Sequence, residues 1–99
     1  MLLMTLMSAT LALTQPAPLL DAAATLASPG EARAVMLDGR SWACSPDGAC
    51  LGRGSGASQP AVRECRRFVA RVGAVTRYER AGVALTEAEL AQCNAARPA

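Results

Sequence analysis

The 99-residue sequence has no histidine and no lysine, and its aromatic residues are one Trp, one Phe and one Tyr. Each shortage excludes something. Without histidine the commonest general base near neutral pH is missing, and neither a Ser-His-Asp nor a Cys-His arrangement can form. Imidazole is missing as a metal ligand too. The four cysteines are separated by five, fourteen and twenty-seven residues, so no pair has the spacing of a zinc knuckle. Too few aromatics are present to stack on nucleic-acid bases. Paired carboxylates remain a route to hydrolysis, but Asp38 and Asp47 fall in turns, Glu64 and Glu79 on expected solvated faces, and Glu87 and Glu89 at a helix start. We expect no catalytic residue, no cofactor and no metal site.

What is present begins with an uncharged apolar run over residues 1–13 (MLLMTLMSATLAL), about the length of a signal-peptide core and too short to span a bilayer. No Lys or Arg precedes it, so the basic segment that normally opens a signal peptide is missing. Small-residue cleavage patterns follow at Ala22-Ala23-Ala24 and at Ala32-Arg33-Ala34. Residues 1–24 therefore read as a signal peptide, with cleavage as late as residue 34, and the protein as periplasmic or secreted, with no transmembrane span in the mature chain. The competing reading, a buried N-terminal helix, conflicts with the Pro and Ala content after Leu13. Removing residues 1–24 leaves ten Arg against seven carboxylates, a net of +3, too mild to demand nucleic acid or another polyanion. Residues 25–32, broken by Pro29-Gly30, read as a flexible lead-in.

The domain proper is expected over residues 33–96. Asp38-Gly39 is a strong two-residue hairpin signal between strands at 33–37 and 40–44. In Ser45-Pro46-Asp47-Gly48, Pro presets the φ of a type I turn and Gly accepts positive φ at its end, so the chain reverses again into a strand at 49–52. That reversal brings Cys44 and Cys50 close to opposite each other, with one residue of slack for a bulge, within disulfide reach. Trp42 shares a face with Cys44 and is the natural main aromatic of the core. Residues 52–58 (GRGSGAS) read as a flexible connector; a phosphate-cradling loop would need the Gly-Lys-Ser/Thr ending that is missing here.

Ser58 is the expected cap of a first helix, with Pro60 in its first turn and Gly73 at its end. Val62, Cys65, Phe68, Val69 and Val72 make one apolar face. Arg63, Arg66, Arg67 and Arg71 lie on the other side, where three of them are i,i+4 neighbours able to engage anionic groups together. A solvated charged face is the plainer explanation of that stripe. Residues 74–80 read as a fourth strand, and 83–85 as a short return. Thr86-x-x-Glu89 is a capping box with a Leu85/Leu90 staple, opening a last helix that carries Cys93 inward. Two facing helices with one inward cysteine each suggest Cys65–Cys93, although four cysteines permit three pairings. By loop entropy the short bridge contributes about 2.4 kcal/mol and the long one about 3.6 kcal/mol.

The order Trp42-x-Cys44, Cys50, a helix containing Cys65, Gly73 and a late Cys93-Asn94 resembles a group of short, uncharacterised exported proteins of alphaproteobacteria. The likeness covers residues 33–96 and implies export and two disulfides, but carries over no activity. The expected fold is α+β, an antiparallel sheet of about four strands with two helices on one face. The expected function is non-enzymatic, as an envelope interaction or accessory protein whose partner is an envelope protein or an anionic surface. Anion or headgroup binding through Arg63, Arg66, Arg67 and Arg71 is the alternative.

Overall fold

The computed structural model describes residues 21–56 and 58–97. The apolar run at residues 1–13 lies outside the described residues. Six strands form one antiparallel sheet: β1 (Ala22–Leu26), β2 (Arg33–Leu37), β3 (Arg40–Cys44), β4 (Ala49–Arg53), β5 (Val75–Arg80) and β6 (Val83–Ala84). Their order in space is β2-β3-β4-β1-β5-β6. Helices α1 (Ala61–Arg71) and α2 (Glu87–Asn94) cover one face. The fold is α+β, with both disulfides as expected, Cys44–Cys50 and Cys65–Cys93.

Both turn readings hold. Asp38 and Gly39 take φ values of 50° and 81°, the left-handed pair that matches strand twist in a two-residue hairpin. In the second hairpin Gly48 N–H donates to Ser45 C=O at 2.9 Å and Ser45 N–H to Ala49 C=O at 2.9 Å, a type I turn closed by Gly48 at φ +96°. That geometry sets Cys44 directly opposite Cys50, with Cα atoms 4.0 Å apart.

The short return expected at 83–85 forms β6, paired to β5. The sheet departs from the expected four strands at its centre, in β1: Thr25 and Leu26, read as the start of a flexible lead-in, belong to a strand paired on both sides, to β4 and to β5. Alanine has low strand propensity, so the Ala22-Ala23-Ala24 run gives no strand signal by composition. Tertiary packing explains its place. Across the covered face, Trp42 pairs with Gly52, Gly52 with Ala22, and Cys50 with Ala24. These small residues form a low floor on which the three aromatics of the sequence meet. Trp42 and Phe68 have ring centroids 4.4 Å apart, and each lies 6.1 Å from Tyr78. A Cβ on Gly52 would sit 2.6–2.7 Å from the Trp42 indole, so β4 accepts glycine there for close approach rather than flexibility. In β5 the pairing passes from Leu26↔Val75 to Thr25↔Arg77, skipping Thr76, and this bulge turns both Val75 and Tyr78 into the core.

Helix α1 starts later than expected. Pro60, not Ser58, stands at its N-cap, with no side-chain cap, because the residue before a proline is pushed to extended backbone and Gln59 cannot join the helix. Helix α2 starts as expected, with Thr86 and Glu89 exchanging both capping-box bonds at 2.9 and 3.2 Å. Its end is clamped to the sheet: Asn94 Oδ1 accepts from Val75 N–H at 2.9 Å, and Asn94 Nδ2 donates to Val75 C=O at 2.8 Å. The Cys65–Cys93 bridge joins the two helices with Cα atoms 5.5 Å apart, fully buried.

Two measurements check this packing. Gly52→Ala is expected to destabilise the disulfide-intact protein by about 2 kcal/mol or more in urea denaturation, because the indole has nowhere to move. Replacing Cys65 and Cys93 together by Ser is expected to cost about 3.6 kcal/mol, and replacing Cys44 and Cys50 about 2.4 kcal/mol, in the same assay.

Candidate functional site

Polar chemistry in the described residues concentrates at the end of α1 that faces β3 and β5. Arg40 follows the first hairpin turn and, two residues before Trp42, points to the covered face. It is 1% exposed. Its Nε donates to Glu64 Oε2 and its Nη1 to the Gly54 carbonyl. Glu64, four residues before Phe68 on α1 and 3% exposed, also accepts from Arg80 Nη1 at 3.2 Å. Arg80 reaches on to the Gln59 carbonyl. Glu64 was expected on a solvated face; helix phase instead places it beside Phe68, and two guanidiniums compensate its burial. The loop after β4 is correspondingly not a loose connector. Gly52 and Arg53 belong to β4, and at Gly56 (φ +69°) a Cβ would stand 2.9–3.0 Å from the Arg40 guanidinium. Beside this cluster, burial and the Glu64 charge push the Tyr78 hydroxyl well above its ordinary pKa.

The arginine stripe is only partly free. Arg67 Nε donates to Asp38 Oδ2 at 2.7 Å, and Arg66 Nη1 donates to the Gln92 carbonyl on α2 at 2.6 Å. Arg63 and Arg71 are exposed and make no ion pair among the described residues. The Arg67 hydrogen bond, with the charges of Arg67 and Arg63 behind it, holds the Asp38 carboxyl below its ordinary value. The same bond raises Arg67. The structure therefore brings Arg63, Arg67 and Arg71 along one flank of α1 and diverts Arg66 to the α1–α2 contact.

Three further carboxylates are held locally. Asp47 accepts from Ser45 Oγ at 2.6 Å and from Ala49 N–H at 3.0 Å, which lowers its pKa. Glu79 pairs with Arg77 at 3.1 Å, and Asp21 Oδ1 accepts from Gly54 N–H at 3.1 Å. Shallow hollows lie on the surface of the described residues. One, of about 400 Å³ on the open sheet face by the stapled hairpin, is lined by Ala43, Ser45, Ala49, Leu51 and Arg53, with no carboxylate in its wall. A second, of about 270 Å³, lies between the end of β2 and α1 and is lined by Leu37, Arg67, Ala70 and Arg71. A third, of about 180 Å³, lies between the start of β2 and the end of α1, where Glu31 and Arg33 meet Val72 and Gly73. All four cysteines are in disulfides, so no thiolate is left as ligand or nucleophile. Among the described residues no group of His, Cys, Asp and Glu is placed to hold a metal ion, and no helix is long and apolar enough to cross a membrane. The disulfides point to an oxidising environment.

Two outcomes test the electrostatics. Glu64→Gln removes the one carboxylate charge that Arg40 and Arg80 share and is expected to cost about 3–5 kcal/mol, whereas Arg40→Met combined with Glu64→Leu costs less than that single change; urea denaturation of both variants decides. Asp38 has a folded pKa below its unfolded value, so its contribution is complete above about pH 4 and is lost as pH falls through the folded value. Thermal melts between about pH 6 and pH 2 should therefore show a shallower acid decline in Asp38→Asn than in the parent protein.

Comparison with curated proteins and with solved structures finds no match. A family model does match, over residues 5–95, a span that takes in every strand and both helices described above, from the central β1 to the Asn94 clamp. The chain belongs to DUF8200, a family of unknown function.

Proposed function

We propose that the protein is a small exported domain of the cell envelope that acts by binding a partner rather than by catalysis. The observation that carries this reading is the pair of disulfides, one stapling β3 to β4 and the other α1 to α2. The chain has three aromatics, a core floored by Ala and Gly, and half of its residues apolar, with alanine the largest share of them. A domain this small with so thin a core depends on covalent staples, and such staples persist outside the reducing cytosol. Against catalysis stand the engaged carboxylates: Asp38, Asp47, Glu64, Glu79 and Glu89 each hold a local structural bond.

Export implies removal of a leader, and β1 bears on where. Cutting after Ala24 would remove three residues of the central strand. Asp21 also contributes, through its backbone carbonyl to Ala81 N–H at 3.1 Å. In this reading the mature chain starts at or before Asp21. Binding of lipid headgroups by the arginine stripe has less support, since Asp38 and the Gln92 carbonyl already occupy Arg67 and Arg66.

Intact mass of the protein recovered from the native host, with alkylation after denaturation, tests the proposal. The expected species comes from the periplasm or the medium, begins at or before residue 21, and takes up alkylating reagent only after reduction. A full-length cytosolic chain with four alkylatable thiols overturns the proposal.

A further inference from the structure

We infer that β2 and the adjoining flank of α1 form a docking groove for an extended acidic segment of a partner protein, which joins the sheet as a further strand. This rests on reading the domain as an interaction module, and supplies that module's surface and ligand chemistry.

The backbone argument starts at the first hairpin. In a two-residue hairpin the residues flanking the turn, Leu37 and Arg40, form a hydrogen-bonded pair, so Val35 and Arg33 also turn their N–H and C=O toward β3. Ala34 and Met36 then present theirs to the outside. Among the described residues β2 pairs with β3 alone, at the end of the sheet. Natural edges are usually blunted by Pro, Lys, bulges or brevity. β2 has five residues (RAVML), a continuous register, and no Pro, Lys or bulge; its one charge, Arg33, stands at the first position and donates to the Val72 carbonyl at 3.4 Å, while the opposite edge, β6, is two residues long. Met36 is 69% exposed.

The side-chain argument fixes the ligand. An added strand sends alternate side chains to the two faces of the sheet. On the helix-covered side they arrive over the 270 Å³ hollow, where Leu37 and Ala70 offer apolar contact and Arg71 offers a charge with no ion-pair partner among the described residues, beside Arg67, whose Nε Asp38 holds. Arg63, Arg67 and Arg71 face one carboxylate here, Asp38, leaving this flank two positive charges in excess. A second copy of the chain fits poorly: its β2 carries no acidic residue, its Asp38 is already paired, and its own positive flank would be brought up against the first. An extended segment with a carboxylate side chain on the helix side and apolar residues near it meets both the edge and the charge.

The test uses the disulfide-intact protein and a fluorescein-labelled acetylated peptide, Thr-Glu-Val-Glu-Val-Glu-Thr, with its lysine-for-glutamate counterpart. Fluorescence anisotropy at about 0.15 M salt should show saturable binding of the acidic peptide alone, and amide exchange should slow at Ala34 and Met36 on binding. Met36→Pro removes an outward N–H without touching the β2–β3 ladder, and Arg71→Glu reverses a charge that has no ion-pair partner among the described residues. Each should weaken binding by about tenfold or more while leaving the thermal melt close to the parent's. No saturable binding up to about 1 mM, equal binding of the two peptides, or indifference to Met36→Pro overturns the inference. So does protection of Ala34 and Met36 without peptide in a dimer seen by sedimentation, which would make a second copy the occupant. Anionic phospholipid vesicles bound through Arg71 regardless of Met36→Pro overturn it in favour of a membrane. Any of these results leaves the mass measurement of export and disulfides untouched, so the two readings fail separately.

Discussion

The indole of Trp42 lying against the bare backbone of Gly52 is the contact around which the rest of the domain is dimensioned. A chain with three aromatics has to make them meet if it is to have a core at all, and they meet only because the strands beneath them are floored with Gly52, Ala22 and Ala24. Larger residues there would lift the helices off the sheet; smaller aromatics would leave a void that the surrounding alanines could not fill. The central position of β1 follows from this. A strand of alanines is a poor strand by propensity and a good one by volume, and packing decides.

What the aromatic cluster lacks in area the disulfides and the buried ion cluster make up in constraint. Each bridge ties elements that meet at the core's margin: the β3–β4 hairpin on one side, the α1–α2 contact on the other. Arg40, Glu64 and Arg80 act differently. Taking Arg40 and Glu64 out of water, with Arg80 partly exposed beside them, is costly, and their attraction roughly repays it rather than adding a surplus. Their effect is on position. Glu64 can satisfy both guanidiniums only with α1 at one height and one rotation over β3 and β5, and Gly54 and Gly56 close over the Arg40 side chain from outside. Helix orientation over a sheet with a smooth alanine floor is otherwise weakly specified, so a directional contact is of most use here.

Much of this was legible. The Asp38-Gly39 and Ser45-Pro46-Asp47-Gly48 turns, the Thr86–Glu89 capping box and the apolar phase of α1 each rest on local sterics or hydrogen bonding, and local rules survive folding unchanged. The hairpin geometry and the two inward helix cysteines pointed to the two disulfides that form, with the other pairings left open by sequence. What failed to show depends on partners distant in sequence. β1 is a strand only because β4 and β5 flank it. Ser58 lost the cap because Pro60 forbids helix just before itself, a local rule set aside in favour of a capping preference. Glu64 and Arg40 are separated by 24 residues, and each, alone, looks solvated. A signal did exist: the two-residue period puts Arg40 on the face of Trp42, and the helical period puts Glu64 on the face of Phe68. Opposite charges phased onto two faces that must meet are a pair. The arginines of α1 are legible as charges of one helix, but Asp38 and Gln92 lie on other elements, and only the fold shows which guanidiniums they occupy.

The same constraints bear on the sheet edge. Pairing with an exposed strand is costly when that strand must first be ordered, since each fixed residue gives up about 1–2 kcal/mol of backbone freedom. β2 has that ordering done in advance. It is held along its whole length by β3, β3 is cross-linked to β4 by Cys44–Cys50, and its turn is tied to α1 by Asp38 and Arg67. Rigidity here therefore comes from the staples and the hairpin turns rather than from a large core, and it extends to the outermost strand. Met36 stands exposed on the open face of this edge, and Leu37 and Arg71 line the hollow on its helix side, so apolar contact and charge flank a strand that is already ordered.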